Sequence, residues 1–269
     1  MDELTFMNSK PVLITILLLT ACTLRAQFNL FGTDDNANAR RFLYTEEWSV
    51  QLRMNTNGLN IGYSKNQILR YYKTSYYRVE LGYLRDPKEF RQNLRSQTVL
   101  QTITSINGYI YGKQNSLLVL RGSLGGIHYF GEKARRKGVA VGYHYEVGPS
   151  IGMLKPYYLE IKRIVEDGNS TRTFSEKYSD ANADEFLDPN DIYGHSSFFK
   201  GITEMKFVPG IQGKIGAHFS WGPEDQFVRF IESGLMFDLF TQRMPIMVQD
   251  NYKPYFLNLY VSLQFGKRK

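Results

Sequence analysis

The feature that most constrains this chain is a strict period-two alternation held over long segments. Toward its end Tyr255, Leu257, Leu259, Val261, Leu263 and Phe265 alternate with Phe256, Asn258, Tyr260, Ser262 and Gln264. One face is wholly apolar and the other mixed and polar, as in a strand whose two faces meet different surroundings. The pattern recurs where Trp48, Val50, Leu52 and Met54 interleave with Ser49, Gln51 and Arg53, and where Tyr77, Val79, Leu81 and Tyr83 interleave with Arg78, Glu80 and Gly82. Val139 to Gly148 and Ile211 to Trp221 repeat it. No helix-period stripe of comparable length accompanies these segments, so the fold is predicted to be all-β.

Alternation alone would also suit a soluble sandwich. Three features favour an antiparallel up-and-down transmembrane β-barrel instead. The alternating segments often reach ten residues, where soluble strands usually run to about five or six. Their polar faces carry full charges (Arg78, Glu80, Glu146, Lys214, Glu232), which suit a wet or salt-bridged lumen. Tyr and Phe cluster near segment ends, at Tyr71-Tyr72, Tyr76-Tyr77, Tyr157-Tyr158 and Tyr252 to Phe256, as interfacial girdles do. A barrel also reconciles 42% apolar and 14% aromatic residues with a negative mean hydropathy of −0.36.

Strands are expected at 46–55, 58–65, 71–85, 102–112, 116–129, 138–153, 157–165, 206–221, 227–240 and 255–266, about ten in all, with eight or twelve if a faint strand is misread. With ten, the gaps 66–70, 113–115, 154–156 and 222–226 are short turns on the periplasmic side. The gaps 86–101, 130–137, 166–205 and 241–254 become the longer outer loops. Residues 46–269 then form the barrel, with a long extracellular loop at about 166–205, and 27–45 form a periplasmic N-terminal segment.

Ahead of this lies an export address. Lys10 precedes the short apolar run Pro11 to Ala21, so residues 1–26 read as a signal peptide cut after Ala26. Leu19-Thr20-Ala21-Cys22 also resembles a lipobox, which makes lipidation at Cys22 the alternative. Removing 1–26 takes Asp2 and Glu3 with Lys10 and Arg25, so the net charge of +7 is unchanged. Export directs that charge toward lipopolysaccharide and envelope partners and away from nucleic acid.

The Ala26-Gln27 junction, Gly142-Tyr143-His144-Tyr145-Glu146-Val147-Gly148-Pro149-Ser150 and the closing Asn258 to Lys267 together resemble the small outer-membrane β-barrel proteins of the Bacteroidota. The resemblance implies the outer membrane of a Gram-negative bacterium and a barrel fold, and no particular reaction. Phe265 resembles the terminal aromatic by which barrel precursors are recognised, although Gly266-Lys267-Arg268-Lys269 follow it.

Catalytic chemistry has one candidate. His218-Phe219-Ser220 with Glu232 resembles the His-x-Ser…Glu arrangement of lipid A deacylase barrels, with Ser220 as nucleophile, His218 as base and Glu232 orienting it. The alternation turns all three toward the lumen, which favours a polar network over a hydrolase. His128 and His144 on neighbouring strands lack placed carboxylates, so no metal is expected. The acidic residues of the 166–205 loop lack ordered Ca²⁺-ligand spacing, and no cofactor is expected. Lys133, Arg135, Arg136 and Lys137 are placed on an outer loop as lipopolysaccharide contacts. Phe186, Leu187, Ile192, Tyr193, Phe198 and Phe199 are too many large apolar groups for a free loop, so they are expected to fold over the barrel mouth or to bind a partner. Arg53, Arg78, Glu80, Arg121, Glu146, Glu160, Lys162, Lys214, Glu232 and Asp238 are expected to fill the lumen. These features predict a plugged, non-enzymatic barrel acting as a structural or accessory subunit of an envelope assembly or secretion complex, with a lipid A hydrolase or a narrow channel as alternatives.

Overall fold

A computed structural model describes residues 45–70, 72–92, 108–130, 139–164, 171–221, 227–248 and 252–269. The expected signal peptide 1–26, the Cys22 lipobox and nearly all of the 27–45 segment lie outside these residues.

In chain order the strands are β1 (Glu46–Asn55), β2 (Gly58–Arg70), β3 (Lys73–Leu84), β4 (Arg91–Gln92), β5 (Tyr109–Ile110), β6 (Asn115–Tyr129), β7 (Ala140–Pro156), β8 (Tyr158–Ile164) and β9 (Thr171–Lys177). They continue with β10 (Ile192–His195), β11 (Lys206–Trp221), β12 (Phe227–Phe240) and β13 (Tyr255–Arg268); a short helix α1 (Ala183–Leu187) precedes β10. Eight strands close into a barrel in the order β1-β13-β12-β11-β7-β6-β3-β2, every neighbour antiparallel. Closure runs through β1 against β13, where Leu52 pairs with Leu263.

The count is therefore eight, the lower of the alternatives and not ten. Of the two surplus segments, 102–107 lies outside the described residues and 109–110 forms only a two-residue ladder with β4. The other, 157–165, becomes β8 in a separate three-stranded sheet, β10-β8-β9. Its alternation is genuine, but Leu159 and Ile161 pack on Phe186 and Ile192 instead of on lipid. A half-buried sheet in water alternates just as a barrel does, and only length separates them. β8 has seven residues, whereas a tilted span needs about nine to eleven and the barrel strands have ten to seventeen.

The outward faces are those read from the alternation, and each of the eight barrel strands exposes large apolar side chains to its surroundings, from Val50 and Leu52 on β1 to Leu259 and Val261 on β13. A continuous apolar belt of this extent is incompatible with water and fits a hydrocarbon layer. Trp48, Tyr63, Tyr77, Phe227 and Phe265 stand on it near the end that carries Thr45 and Lys269, and Phe207 and Tyr255 near the other. Tyr76, grouped with these in sequence, turns inward instead.

Losing two strands moves 130–137, and the former turns 113–115 and 154–156, to the other end and leaves the remaining connections where they were expected. The end bearing the termini receives the β2–β3 turn, the β6–β7 connection and 222–226. The opposite end receives the β1–β2 turn and the connections 85–114, 157–205 and 241–254. Lys133, Arg135, Arg136 and Lys137 lie outside the described residues, but Tyr129 and Ala140, which flank them, sit at the terminal end. With the long connections taken as outer, this topology does not place that basic run on the outside.

A Cβ added at lumen-facing Gly82 would lie 1.9 Å from Asn60 Oδ1 and 2.6 Å from Arg121 Nη1. The unboiled protein is expected to run faster than the boiled protein in SDS gels. Gly82→Val should lower the temperature at which that difference disappears, with an overpacking cost of about 1–3 kcal/mol in urea titrations.

Candidate functional site

The alternation that greases the outside makes the interior polar. Arg53, Arg78, Arg121 and Lys214 face Glu80, Glu146, Glu232 and Asp238, four cations against four carboxylates, all buried. An eight-stranded barrel is just wide enough for its own side chains, so these charges must solvate one another. Arg53 donates to Glu80 at 2.8 Å, and Lys214 to both Glu80 and Glu146. Arg78 donates to Glu146 at 2.8 Å and through both terminal nitrogens to Glu232 at 3.2 Å. Arg121 grips Asp238 with two bonds of 2.7 and 2.9 Å. Eight of the ten side chains expected in the lumen are there. Glu160 and Lys162 are not, because β8 lies outside the barrel.

Above this network the barrel is sealed from within. Leu84, Leu117, Val119, Leu154, Val208 and Phe240 line the wall, and Met244, Ile246 and Met247 from the β12–β13 connection fill the space between them. That connection is pinned by Gln114 N and Asn115 N donating to the carbonyl of Ile246 at 2.8 and 3.1 Å, and by Asn115 Nδ2 donating to that of Pro245 at 2.7 Å.

The expected His-Ser-Glu set is assembled only in part. His218 and Glu232 are cross-strand partners on β11 and β12, with Nδ1 and Oε1 3.1 Å apart. Ser220 shares the lumen face, but His218 Nε2 meets the hydroxyl of Tyr129 at 3.2 Å. The base is thus occupied at both nitrogens and buried where no lipid reaches it. Sequence spacing located the pair and gave no hint of Tyr129.

His144 joins the same cluster. It bonds Tyr260 through Nε2, and His144, His218 and Glu232 bring one ligand atom each within 4.8 Å of one another. A metal ion there would have to displace Arg78, whose guanidinium already takes both oxygens of Glu232. His128 does not approach His144, since it faces outward and stacks on Tyr143 at 5.5 Å.

At the end opposite the termini the described residues 157–164 and 171–205 form a cap, and Leu159, Ile161, Phe186 and Ile192 make its core together with Tyr109 of β5. This divides the six apolar residues singled out as partner contacts. Phe186 and Ile192, 0% and 2% exposed, belong to the cap's own core and are withdrawn as contact residues. Leu187 is half-buried and accepts a hydrogen bond from Tyr111, and half-buried Tyr193 lies beneath Lys162. Phe198 and Phe199 remain 62% and 76% exposed. Ion pairs brace the cap: Arg163 holds Glu176 and Glu185, and Glu204 accepts from Lys177 and from Tyr158. The bonds from Lys177 and Tyr158 hold the Glu204 carboxyl below its ordinary range.

No protein-family model matches the chain, and no curated protein matches it. Among solved structures it is similar to the N-terminal β-barrel domain of Pseudomonas aeruginosa OprF, at 10% identity over 84% of this chain and 98% of that one, with a TM-score of 0.33. It is likewise similar to Ail, the attachment invasion locus protein of Yersinia pestis (9%, 84% and 100%, 0.36). A major outer membrane protein from Thermus thermophilus gives 10%, 83% and 100%, with a TM-score of 0.38.

Two outcomes follow from this geometry. Arg121→Met alone strands Asp238 in the lumen and should cost about 3–5 kcal/mol in urea unfolding, whereas Arg121→Met/Asp238→Leu should cost markedly less than the two single changes summed. A carboxyl held below its ordinary 4.5 stabilises the cap above that pH and ceases to as pH falls through its folded value. Protection of the amides in 177–204, taken relative to the intrinsic exchange rate at each pH, is therefore expected to be constant from pH 7 to 4.5 and to fall below pH 4.5, with the protection of the barrel strands unchanged over the same range.

Proposed function

We propose that this chain is a closed, non-enzymatic outer-membrane β-barrel that serves as a structural or accessory subunit of an envelope assembly or secretion complex. The observation that carries the reading is the fate of its interior. A balanced ion network fills the lumen, an apolar plug closes it, and a folded cap stands over the outer end. A pore needs continuous water through that space, and a lipid A hydrolase needs Ser220 open to lipid and His218 free as its base; the packing of the described residues and the engagement of His218 favour the closed, non-enzymatic reading. What the molecule offers its surroundings is an apolar belt for lipid and a rigid outer platform.

Several features support the envelope setting. The apolar belt between aromatic residues suits an outer-membrane span, and long connections gathered at one end suit an outer face in contact with lipopolysaccharide. The likeness of Gly142 to Ser150 and of the closing strand to Bacteroidota barrels favours that group of Gram-negative bacteria. On the platform, Phe198 and Phe199 pack edge to face at 5.9 Å and remain exposed, which favours them as the contact with a partner envelope protein.

Affinity purification from detergent-solubilised membranes tests the reading. The tagged chain is expected to bring down a defined envelope component. Phe198→Ser/Phe199→Ser should lose at least about tenfold of it while keeping the heat-dependent gel shift. A chain that reproducibly comes down alone would overturn the subunit role.

A further inference from the structure

A cavity lies outside the lumen, beside the exposed Phe198-Phe199 edge and with Phe198 in its wall. It measures about 360 Å³, within the range of small-molecule sites, and sits where the tops of β3, β6 and β7 meet the cap. Its charged lining is Arg85, Arg91, Lys113, Lys155 and Lys200 against Glu89, five cations to one carboxylate. Glu89 is already taken by Lys113 at 2.7 Å.

The floor carries the argument. Lys113 and Lys155 are 1% and 3% exposed, whereas Arg85, Arg91 and Lys200 form a solvent-exposed rim. Lys155 Nζ donates to the backbone carbonyl of Phe198 and lies 4.0 Å from the centre of that ring. Among the described residues it forms no ion pair. A buried ammonium with only a neutral carbonyl and a ring face for company is costly unless an anion completes its surroundings. With Lys113 neutralised by buried Glu89, Lys155 is the uncompensated ammonium of the floor, and together with the cationic rim above it suits a phosphate monoester, about −1.5 to −2 at neutral pH. Ser116, Ser196 and Ser197 add hydroxyl groups, and Tyr83, Tyr157 and Tyr158 supply aromatic walls, with Lys113 over the first two rings and Lys200 over the third; such a mix of rings, hydroxyls and cations suits a sugar that carries an anion.

We infer that this cavity is a binding site for a phosphorylated sugar, with Lys155 and the rim cations on its phosphate and the tyrosine walls beside its ring. Such a group occurs on the headgroup of a phosphorylated outer-membrane glycolipid and in free sugar phosphates. Its height at the barrel mouth leaves both within reach.

Calorimetric titration of the full chain in phosphatidylcholine nanodiscs with glucose 6-phosphate, and with glucose as the neutral control, tests the site. Saturable binding of glucose 6-phosphate is expected, with none of glucose. Lys155→Met should weaken it at least about tenfold with the gel shift retained, and Lys155→Arg should preserve it. If Lys155→Met does not form a barrel, the exposed rim variants Arg91→Ala and Lys200→Ala serve in its place, with the same loss expected. Adding phosphorylated lipid A to the nanodiscs separates the sources: a blocked titration assigns the site to the headgroup, and an unblocked one to the free sugar phosphate. Absence of saturable binding in nanodiscs without lipid A, or wild-type affinity in a correctly folded Lys155→Met protein, overturns the proposal.

Discussion

The ion network of the lumen is the interaction on which the rest of this structure depends. In an inside-out protein the hydrophobic effect orders the outer face against lipid and does nothing for the interior, where four cations and four carboxylates must satisfy one another. The bonds run across the barrel as well as along it. Arg78 on β3 reaches β7 and β12, Lys214 on β11 reaches β3 and β7, and Arg121 on β6 reaches β12. Buried ion pairs are weak evidence for net stability. Their contribution here is register, because a slip of one residue in β1, β3, β6, β7, β11 or β12 would turn its charges into lipid and its apolar side chains into the network.

Neutrality inside has a consequence for chemistry. His218 and Glu232 have the geometry of a base and its orienting carboxylate, but both belong to the network before they are available to any substrate. Tyr129 occupies the free nitrogen of the base and Arg78 occupies the carboxylate. Catalytic residue types at catalytic spacing on a lumen face are more readily explained by mutual solvation than by turnover, and the same holds for the His144-His218-Glu232 cluster as a metal site.

How much of this is legible in the sequence depends on which physical signal a residue leaves. The faces of the long strands are legible, since alternation over ten or more residues is written directly in side-chain polarity. Eight of the ten lumen side chains follow from that alone. The strand count is not, because Tyr158 to Ile164 alternates to cover the cap core and leaves the same trace as a span. The surplus strand expected at 102–112 alters the topology: it reverses the end at which the next connections emerge, which is why the Lys133–Lys137 run reads as an outer loop, and the one expected at 157–165 restores the order. The aromatic richness of 166–205 signals burial, but not that Phe186 and Ile192 are spent on the cap itself while Phe198 and Phe199 stay outside. The cavity leaves almost no trace, since Lys113 and Lys155 stand far apart in sequence and each reads as an ordinary charged residue beside a strand end.

The excess positive charge of the chain can now be located. The lumen network contributes nothing to the +7, because its four cations and four carboxylates cancel. The excess therefore sits outside it, and the one described cavity with a large imbalance, five cations to one carboxylate, lies at the barrel mouth. Charge placed there at random would be solvated and free to spread over the surface. Lys155 instead is buried on the floor beside Lys113, whose charge Glu89 already meets, and has only the Phe198 carbonyl and ring for company. Met244, Ile246 and Met247 form an apolar barrier between the lumen carboxylates and this end of the barrel, so those carboxylates are poorly placed to supply the missing counter-charge. The plug that keeps the lumen neutral and closed thus leaves the lysines of the mouth to an anion from outside.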